Sequence, residues 1–190
     1  MEVKVDKKVP LDASVDQSWA LLSDVRAVAA CMPGAQITEQ LDDRHYKGAV
    51  TSRVGPATLR FAGEIEVLAF NPADHEIQLL GKAVDQTGSS ASMNLTARVV
   101  PGDAPGRATL VGLATMTVSG KLAQFSGRLI GPASDVILAQ FSENFRAAAS
   151  RVATGSSREP APAVNELSAF ALLRAMVARW FTRLFRGGTS

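Results

Sequence analysis

Hydrophobic and polar residues alternate over most of this chain, and short turn sequences interrupt the alternation. Residues 2–9 alternate apolar with charged side chains, which predicts a strand. Six further runs of this kind follow, separated by turn sequences such as LDDRH, NPADH and PGDAPGR. Short connections between successive strands indicate an antiparallel meander. The six runs cover residues 37–41, 46–54, 58–70, 76–84, 90–100 and 108–118.

Two stretches have helical spacing instead. In residues 12–31, Ser14 or Asp16 can cap a first helix and Asp24 a second short one, which ends at the Pro33-Gly34 turn. Residues 120–153 predict a long helix, which Gly131-Pro132 is expected to kink or break. One strand, two short helices, six strands and a long helix make an α+β chain. This is the helix-grip order, in which a curved seven-stranded antiparallel sheet surrounds the long C-terminal helix.

The composition changes after residue 154. The sequence TGSSREPAPAVN is rich in Ser, Pro and Ala, which is typical of a flexible linker. We therefore predict a helix-grip ligand-binding domain at 1–154, a flexible linker at 155–165 and an amphipathic, membrane-associating helix at 166–187.

The inward face of the predicted sheet carries many small residues: Gly48, Gly63, Gly81, Ala83, Ala91, Ala97, Gly112 and Ala114. They can permit curvature and close docking of the long helix. Alternatively, they leave volume that an apolar ligand fills, because protein interiors normally pack densely. On that interpretation the apolar residues predicted from alternation and helical spacing to line the cavity are Leu59, Phe61, Leu79, Met93, Leu95, Met116, Phe125, Leu129, Val136 and Phe141.

The remaining composition excludes several classes of function. The net charge is +2, and residues 155–190 hold five arginines against two glutamates, so the rest of the chain has no basic excess for nucleic acid. A single cysteine, Cys31, excludes an intrachain disulfide and is expected to be a buried structural thiol. The charged start lacks the apolar core of a signal peptide, which makes a cytoplasmic location the default.

Residues able to carry a reaction are not grouped in the sequence. His45 and His75 both fall in predicted turns between strands. No His, Cys or carboxylate cluster has the spacing of metal ligands. The sequence therefore predicts a protein that is not an enzyme and holds no metal.

The last part of the chain is strongly amphipathic when residues 167–186 are placed on a helix. Eight apolar residues fall within an arc of about 140°, and three arginines lie opposite. A bilayer span is disfavoured, because an arginine costs about 2.5–3.5 kcal/mol at the bilayer centre. Aromatic residues and a basic face favour a membrane interface, and a helix docked in a partner's groove is the alternative. The residues predicted to bind the membrane are Phe170, Leu173, Arg174, Val177, Arg179, Trp180, Phe181, Arg183, Leu184 and Phe185.

Three stretches of the chain are distinctive as a set: SWALLSDVRAVAACMPG, YKGAVTSRVGPATLRFAGEIEV and TVSGKLAQFSGRLIG. The positions that stand out within them are Trp19, Asp24, Cys31-Met32-Pro33-Gly34, Gly48, Val54-Gly55-Pro56, Gly120-Lys121-Leu122 and Gly127. At these positions the chain resembles the CoxG family of carbon monoxide dehydrogenase accessory proteins, within the START-like, helix-grip superfamily. The resemblance covers residues 1 to about 153.

The resemblance implies a non-enzymatic accessory protein. Such a protein recruits a molybdenum-containing CO dehydrogenase, or a related hydroxylase, to the lipids of the cytoplasmic membrane. For some members it further implies a respiratory quinone, menaquinone or ubiquinone, held in the apolar cavity and presented to the enzyme. The expected location is the cytoplasm, at the inner face of the membrane. A START-like carrier of another lipid or hydrophobic small molecule is the first alternative, and a tether without ligand the second. An enzyme of the same superfamily is disfavoured by the missing polar constellation.

Overall fold

The computed structural model describes residues 1–54 and 57–152, apart from the side chains of residues 52–54, 57, 122 and 124–133. The strands are β1 (Glu2–Leu11), β2 (Ala35–Gln40), β3 (His45–Val54), β4 (Ala57–Asn71), β5 (Glu76–Asp85), β6 (Ser90–Pro101) and β7 (Ala108–Ser119). The helices are α1 (Val15–Leu22), α2 (Val25–Cys31) and α3 (Ser126–Ala149), and a 3₁₀ helix, Gly120–Phe125, precedes α3. The predicted α+β, helix-grip order is confirmed.

The seven strands form one antiparallel sheet in the order β1, β7, β6, β5, β4, β3, β2. Strands β2 to β7 pair with their neighbours in sequence, as a meander requires. β1 joins the far side of the sheet, where Glu2 lies opposite Thr117 and Leu11 lies opposite Ala108. The alternation therefore identified the correct partners for six strands, and the pairing of β1 with β7 completes the sheet.

A β-bulge changes the faces of one strand. The register between β4 and β5 shifts between Val67 and Ala69, which makes Leu68 an extra residue on β4. An extra residue reverses the alternation of side chains beyond it. Phe70 is consequently paired with Ile77, on the inner face that carries the core.

The two short helices have the caps that the sequence predicts. Ser14 Oγ accepts a hydrogen bond from the Gln17 amide at 3.2 Å, and the Gln17 side chain accepts one from the Ser14 amide at 3.0 Å. Asp24 Oδ1 accepts hydrogen bonds from two amides of the first turn of α2, at 2.9 and 3.1 Å. The turn after α2 requires glycine, because Gly34 has a φ of +74° and an added Cβ would collide with the carbonyl oxygen of Thr51.

The second half of α3 packs into the hydrophobic core. Phe145 and Ala149 are fully buried, in one cluster with Leu11, Ile77 and Val99 from the inner face of the sheet. Non-directional burial of this kind is the main source of stability for such a helix.

Helix α3 continues through Gly131 and Pro132, so the predicted break is absent. Proline removes one backbone hydrogen bond. The long apolar face that follows, with Phe141 and Phe145, anchors the helix to the core and outweighs that loss.

The chain divides into two units, Met1–Thr154 and Gly155–Ser190. The predicted linker at 155–165 and the predicted amphipathic helix at 166–187 lie outside the described residues. Among the described helices, none combines the length and hydrophobicity that a membrane crossing needs.

Candidate functional site

The inner face of the sheet presents rows of apolar residues across its middle. Cross-strand pairing brings residues of five strands opposite one another, with their side chains on the same face. One row consists of Ile65, Gly81, Met93, Met116 and Val3. The next consists of Val67, Leu79, Leu95, Ala114 and Val5.

Six of the residues predicted to line a cavity lie on the inner face of the sheet and are half-buried: Leu59, Phe61, Leu79, Met93, Leu95 and Met116. Phe141 is also half-buried, with its ring centroid 5.7 Å from that of Phe145. The side chains of Phe125 and Leu129 lie outside the described residues. The structure therefore brings most of the predicted set to one face, and their role in binding a ligand stays a prediction.

Val136 departs from the prediction. It is 67% exposed. It lies nine residues before Phe145, which places it about 180° away around the helix axis. Because Phe145 is fully buried against the sheet, Val136 points away from the inner face. Helical spacing alone did not distinguish Val136 from its neighbour Ile137, which is half-buried.

The glycines of the inner face have two different environments. A Cβ added to Gly63 would lie 2.6 and 2.7 Å from the Cα and Cβ of Ala83, and would also collide with the carbonyl oxygen of Lys82. At Gly48 the carbonyl oxygen of Gln36 lies 3.0 Å from the added atom. These two glycines allow neighbouring strands to approach closely.

Two other glycines face open space. An added Cβ at Gly112 would meet no described atom within 4 Å, and at Gly81 only the Cε of Met93, at 4.0 Å. At each of these two positions the described residues leave the space of a small side chain open.

The titratable groups of the described residues form no catalytic arrangement. Cys31 is buried, its thiol donates to the Ala27 carbonyl oxygen at 3.3 Å, and burial raises the pKa of that thiol. His45 Nδ1 lies 2.8 Å from a carboxylate oxygen of Asp42 in an exposed turn. Within residues 1–54 and 57–152, no three His, Cys, Asp or Glu side chains are grouped as metal ligands.

A model of one protein family matches residues 8–150, and that family is the CoxG subunit of carbon monoxide dehydrogenase. The chain belongs to the CoxG family. The match covers almost the whole helix-grip body and confirms the resemblance. The family is that of an accessory subunit of the dehydrogenase. No curated protein matches the chain.

Solved structures place this CoxG-family chain in the START-like fold class. A conserved protein from Geobacillus kaustophilus is 17% identical, with a TM-score of 0.70 over 78% of this chain and 96% of that protein. The Zhui aromatase/cyclase from Streptomyces sp. R1128 is 16% identical, with a TM-score of 0.60 over 83% of this chain and 100% of that enzyme. An uncharacterised protein from Rhizobium leguminosarum is 14% identical, with a TM-score of 0.55 over 80% of this chain and 96% of that protein. At these identities the likeness is one of fold.

Two shallow grooves lie on the outer face of the CoxG-family sheet, and the sequence reasoning did not identify them. Their volumes are about 480 and 410 Å³. The larger is bordered by Leu68 and Leu113, which are 43% and 49% exposed. The sequence feature that could have indicated the larger groove is an apolar residue at an outward-facing strand position, as at Leu113. Most residues that line the larger groove point to the outer face, and its lining also includes Val5, Leu79, Leu95 and Ala114 of the second apolar row.

Proposed function

We propose that this protein is a non-enzymatic accessory of a molybdenum-containing CO dehydrogenase or a related hydroxylase. It recruits the enzyme to the cytoplasmic membrane, and it binds a respiratory quinone, menaquinone or ubiquinone, against the inner face of its sheet. Membership of the CoxG family supports the association with the dehydrogenase. The START-like fold supports the binding of a hydrophobic ligand.

The observation that carries the ligand proposal is the open space at Gly81 and Gly112. Apolar, half-buried side chains, among them Met93, Leu95 and Met116, lie near Gly81, whereas Gly112 is paired with the buried Ala97 and the exposed Lys7. Methionine adapts to irregular shapes, and apolar volume that excludes water favours an apolar occupant. A flat, largely apolar ring system has the matching chemistry.

Membrane recruitment is proposed from the sequence of residues 166–187. An apolar arc with aromatic residues inserts into the headgroup boundary, while each arginine gains about 1 kcal/mol from anionic lipids. A ligand that dissolves in the membrane is reached most directly by a carrier that binds the membrane surface.

Organic extraction of the purified protein, followed by mass spectrometry, tests the ligand. We expect a quinone in the wild-type extract. Gly112→Leu and Gly81→Leu should reduce quinone loading, because the new side chain displaces ligand contacts worth at least about 1.4 kcal/mol, or tenfold in Kd. Ala62→Leu is the matched control, since it adds similar volume at an exposed position of β4.

The outcomes separate the alternatives. A bound lipid or other hydrophobic molecule in place of a quinone would identify a START-like carrier of a different ligand. A protein that yields no ligand and cannot be loaded would be a tether alone. Equal loading of Gly112→Leu and Ala62→Leu would show that the ligand does not occupy the inner face.

A further inference from the structure

Three aromatic rings from three separate elements meet at one end of the sheet. Trp19 is on α1, Phe70 is near the end of β4, and His75 is in the turn between β4 and β5. The ring centroid of Trp19 lies 5.2 Å from that of Phe70 and 5.6 Å from that of His75. We refer to Trp19, Phe70 and His75 as the aromatic cluster.

Local backbone features hold this cluster together. The bulge at Leu68 turns Phe70 to the side of the sheet on which α1 lies. His75 has a φ of 50°, in the left-handed region that few residues other than glycine adopt. Its carbonyl oxygen accepts a hydrogen bond from the Val99 amide at 3.0 Å, which fixes the turn against β6. His75 thus occupies a backbone conformation that favours glycine, and its ring lies edge-on to that of Trp19.

Burial in the hydrophobic core does not explain a phenylalanine at position 70. Its side of the β4–β5 pair contains Ile77, which is 2% exposed, whereas Phe70 is 49% exposed. Aromatic residues, Phe among them, are enriched in protein–protein interfaces relative to the rest of a protein surface.

Two carboxylates lie beside the cluster. Asp16 precedes Trp19 by one helical turn on α1, and Asp74 adjoins His75. Both carboxylates are exposed, and neither forms an ion pair with a described residue. Asp74 accepts a hydrogen bond from the Asn71 side chain. Phe70 is exposed, and Trp19 and His75 are half-buried. An exposed ring flanked by carboxylates suits a cation, because an arginine can stack on an aromatic ring and bond a carboxylate at once.

We propose that the aromatic cluster is the surface that contacts the partner dehydrogenase, through an arginine- or lysine-bearing segment of that enzyme. This inference rests on the proposed accessory function and names the surface that performs it. Anionic lipid is the less suitable occupant, since the two aspartates repel it.

Binding of the full-length protein to purified CO dehydrogenase, measured at low and high salt without lipid, tests the proposal. Phe70→Ser should raise Kd about tenfold or more, as expected for an aromatic residue at the centre of an interface. Combined Asp16→Asn and Asp74→Asn should raise Kd several-fold and weaken its salt dependence. Leu113→Ser is the control, because Leu113 is also 49% exposed but lies on the outer face, and its Kd should stay within about twofold of wild type.

The outcomes distinguish this inference from the function on which it rests. If the wild-type chain does not bind the dehydrogenase, recruitment and the docking surface are both overturned. If it binds and the Phe70 and aspartate variants bind equally well, only the docking surface is wrong. If Phe70→Ser lowers binding to anionic vesicles and leaves enzyme binding intact, the cluster is a lipid-binding surface and the proposal fails. The aspartate variant keeps the test valid should Phe70→Ser unfold.

Discussion

Gly63 and Gly112 lie on the same face of the sheet, but only one of them is required by its neighbours. At Gly63 the backbone of β5 occupies the space of a side chain, so that β4 and β5 can approach at the curve of the sheet. At Gly112 no described atom lies within 4 Å of that space. The close approach of strands is therefore found at Gly63, whereas a ligand beside Gly112 stays a prediction.

Alanine substitutions should separate these two roles. Gly63→Ala should lower the free energy of unfolding by about 1–3 kcal/mol, because the added methyl group forces β4 and β5 apart. Gly112→Ala adds the same group to open space and should change it by less than about 1 kcal/mol, with stabilisation expected from a stiffer unfolded chain. Urea unfolding of both variants measures the difference. Equal losses would mean that the space beside Gly112 is already filled.

At the scale of elements, the Gln17 side chain connects the start of α1 with the end of the body. Its oxygen accepts from the Ser14 amide at 3.0 Å, and its Nε2 donates to the Val152 carbonyl oxygen at 2.6 Å. Val152 also packs against the hydrophobic core. The Gln17 side chain thus caps the N-terminus of α1 and holds the residues that follow α3 in place.

Gln17→Glu separates these two tasks. Glutamate keeps the oxygen that caps α1 and favours the helix N-terminus. It loses the donor to Val152, so stability should fall by about 1 kcal/mol, and the amides of residues 150–152 should exchange faster with solvent. Gln17→Ala is the comparison, because it loses both contacts and should also loosen α1. Hydrogen exchange that matches wild type at residues 150–152 in Gln17→Glu would show that the contact with Val152 contributes nothing.

At the scale of the whole molecule, the proposed recruitment to the membrane depends on residues 166–187. Deletion of residues 160–190 should leave a folded body that no longer sediments with anionic liposomes. Trp180→Asp with Phe181→Asp should weaken liposome binding by about 3 kcal/mol or more, roughly a hundredfold, because two large apolar side chains are lost from the inserting face.

The control for that prediction introduces two aspartates on the polar face of the predicted helix instead of the apolar face. Leu172→Asp with Met176→Asp alters the polar side of the predicted helix and should reduce binding far less. Undiminished sedimentation of the deletion variant would rule out the membrane role. Loss of binding to the dehydrogenase in the absence of lipid would instead identify residues 166–187 as a partner-binding helix.

Sequence patterns predicted local structure well because local structure depends on neighbouring residues. Alternation and turn residues identified all seven strands, and Ser14 and Asp24 marked the starts of two helices. The break expected at Gly131-Pro132 is absent, because the packing of α3 against the core outweighs the backbone hydrogen bond that proline removes. Val136 was misplaced for a related reason, since its exposure depends on which side of α3 meets the sheet.

By itself, the sequence determined the order of the elements and the inner face of the strands, on β4 as far as Val67. Only the tertiary structure decided that Phe70 joins Trp19 and His75, because a single bulge reverses the alternation and no local pattern marks it. It also decided which glycines are crowded and which face open space. Those distances are set by how closely one strand approaches its neighbour in the sheet, and alternation along a single strand carries no information about them.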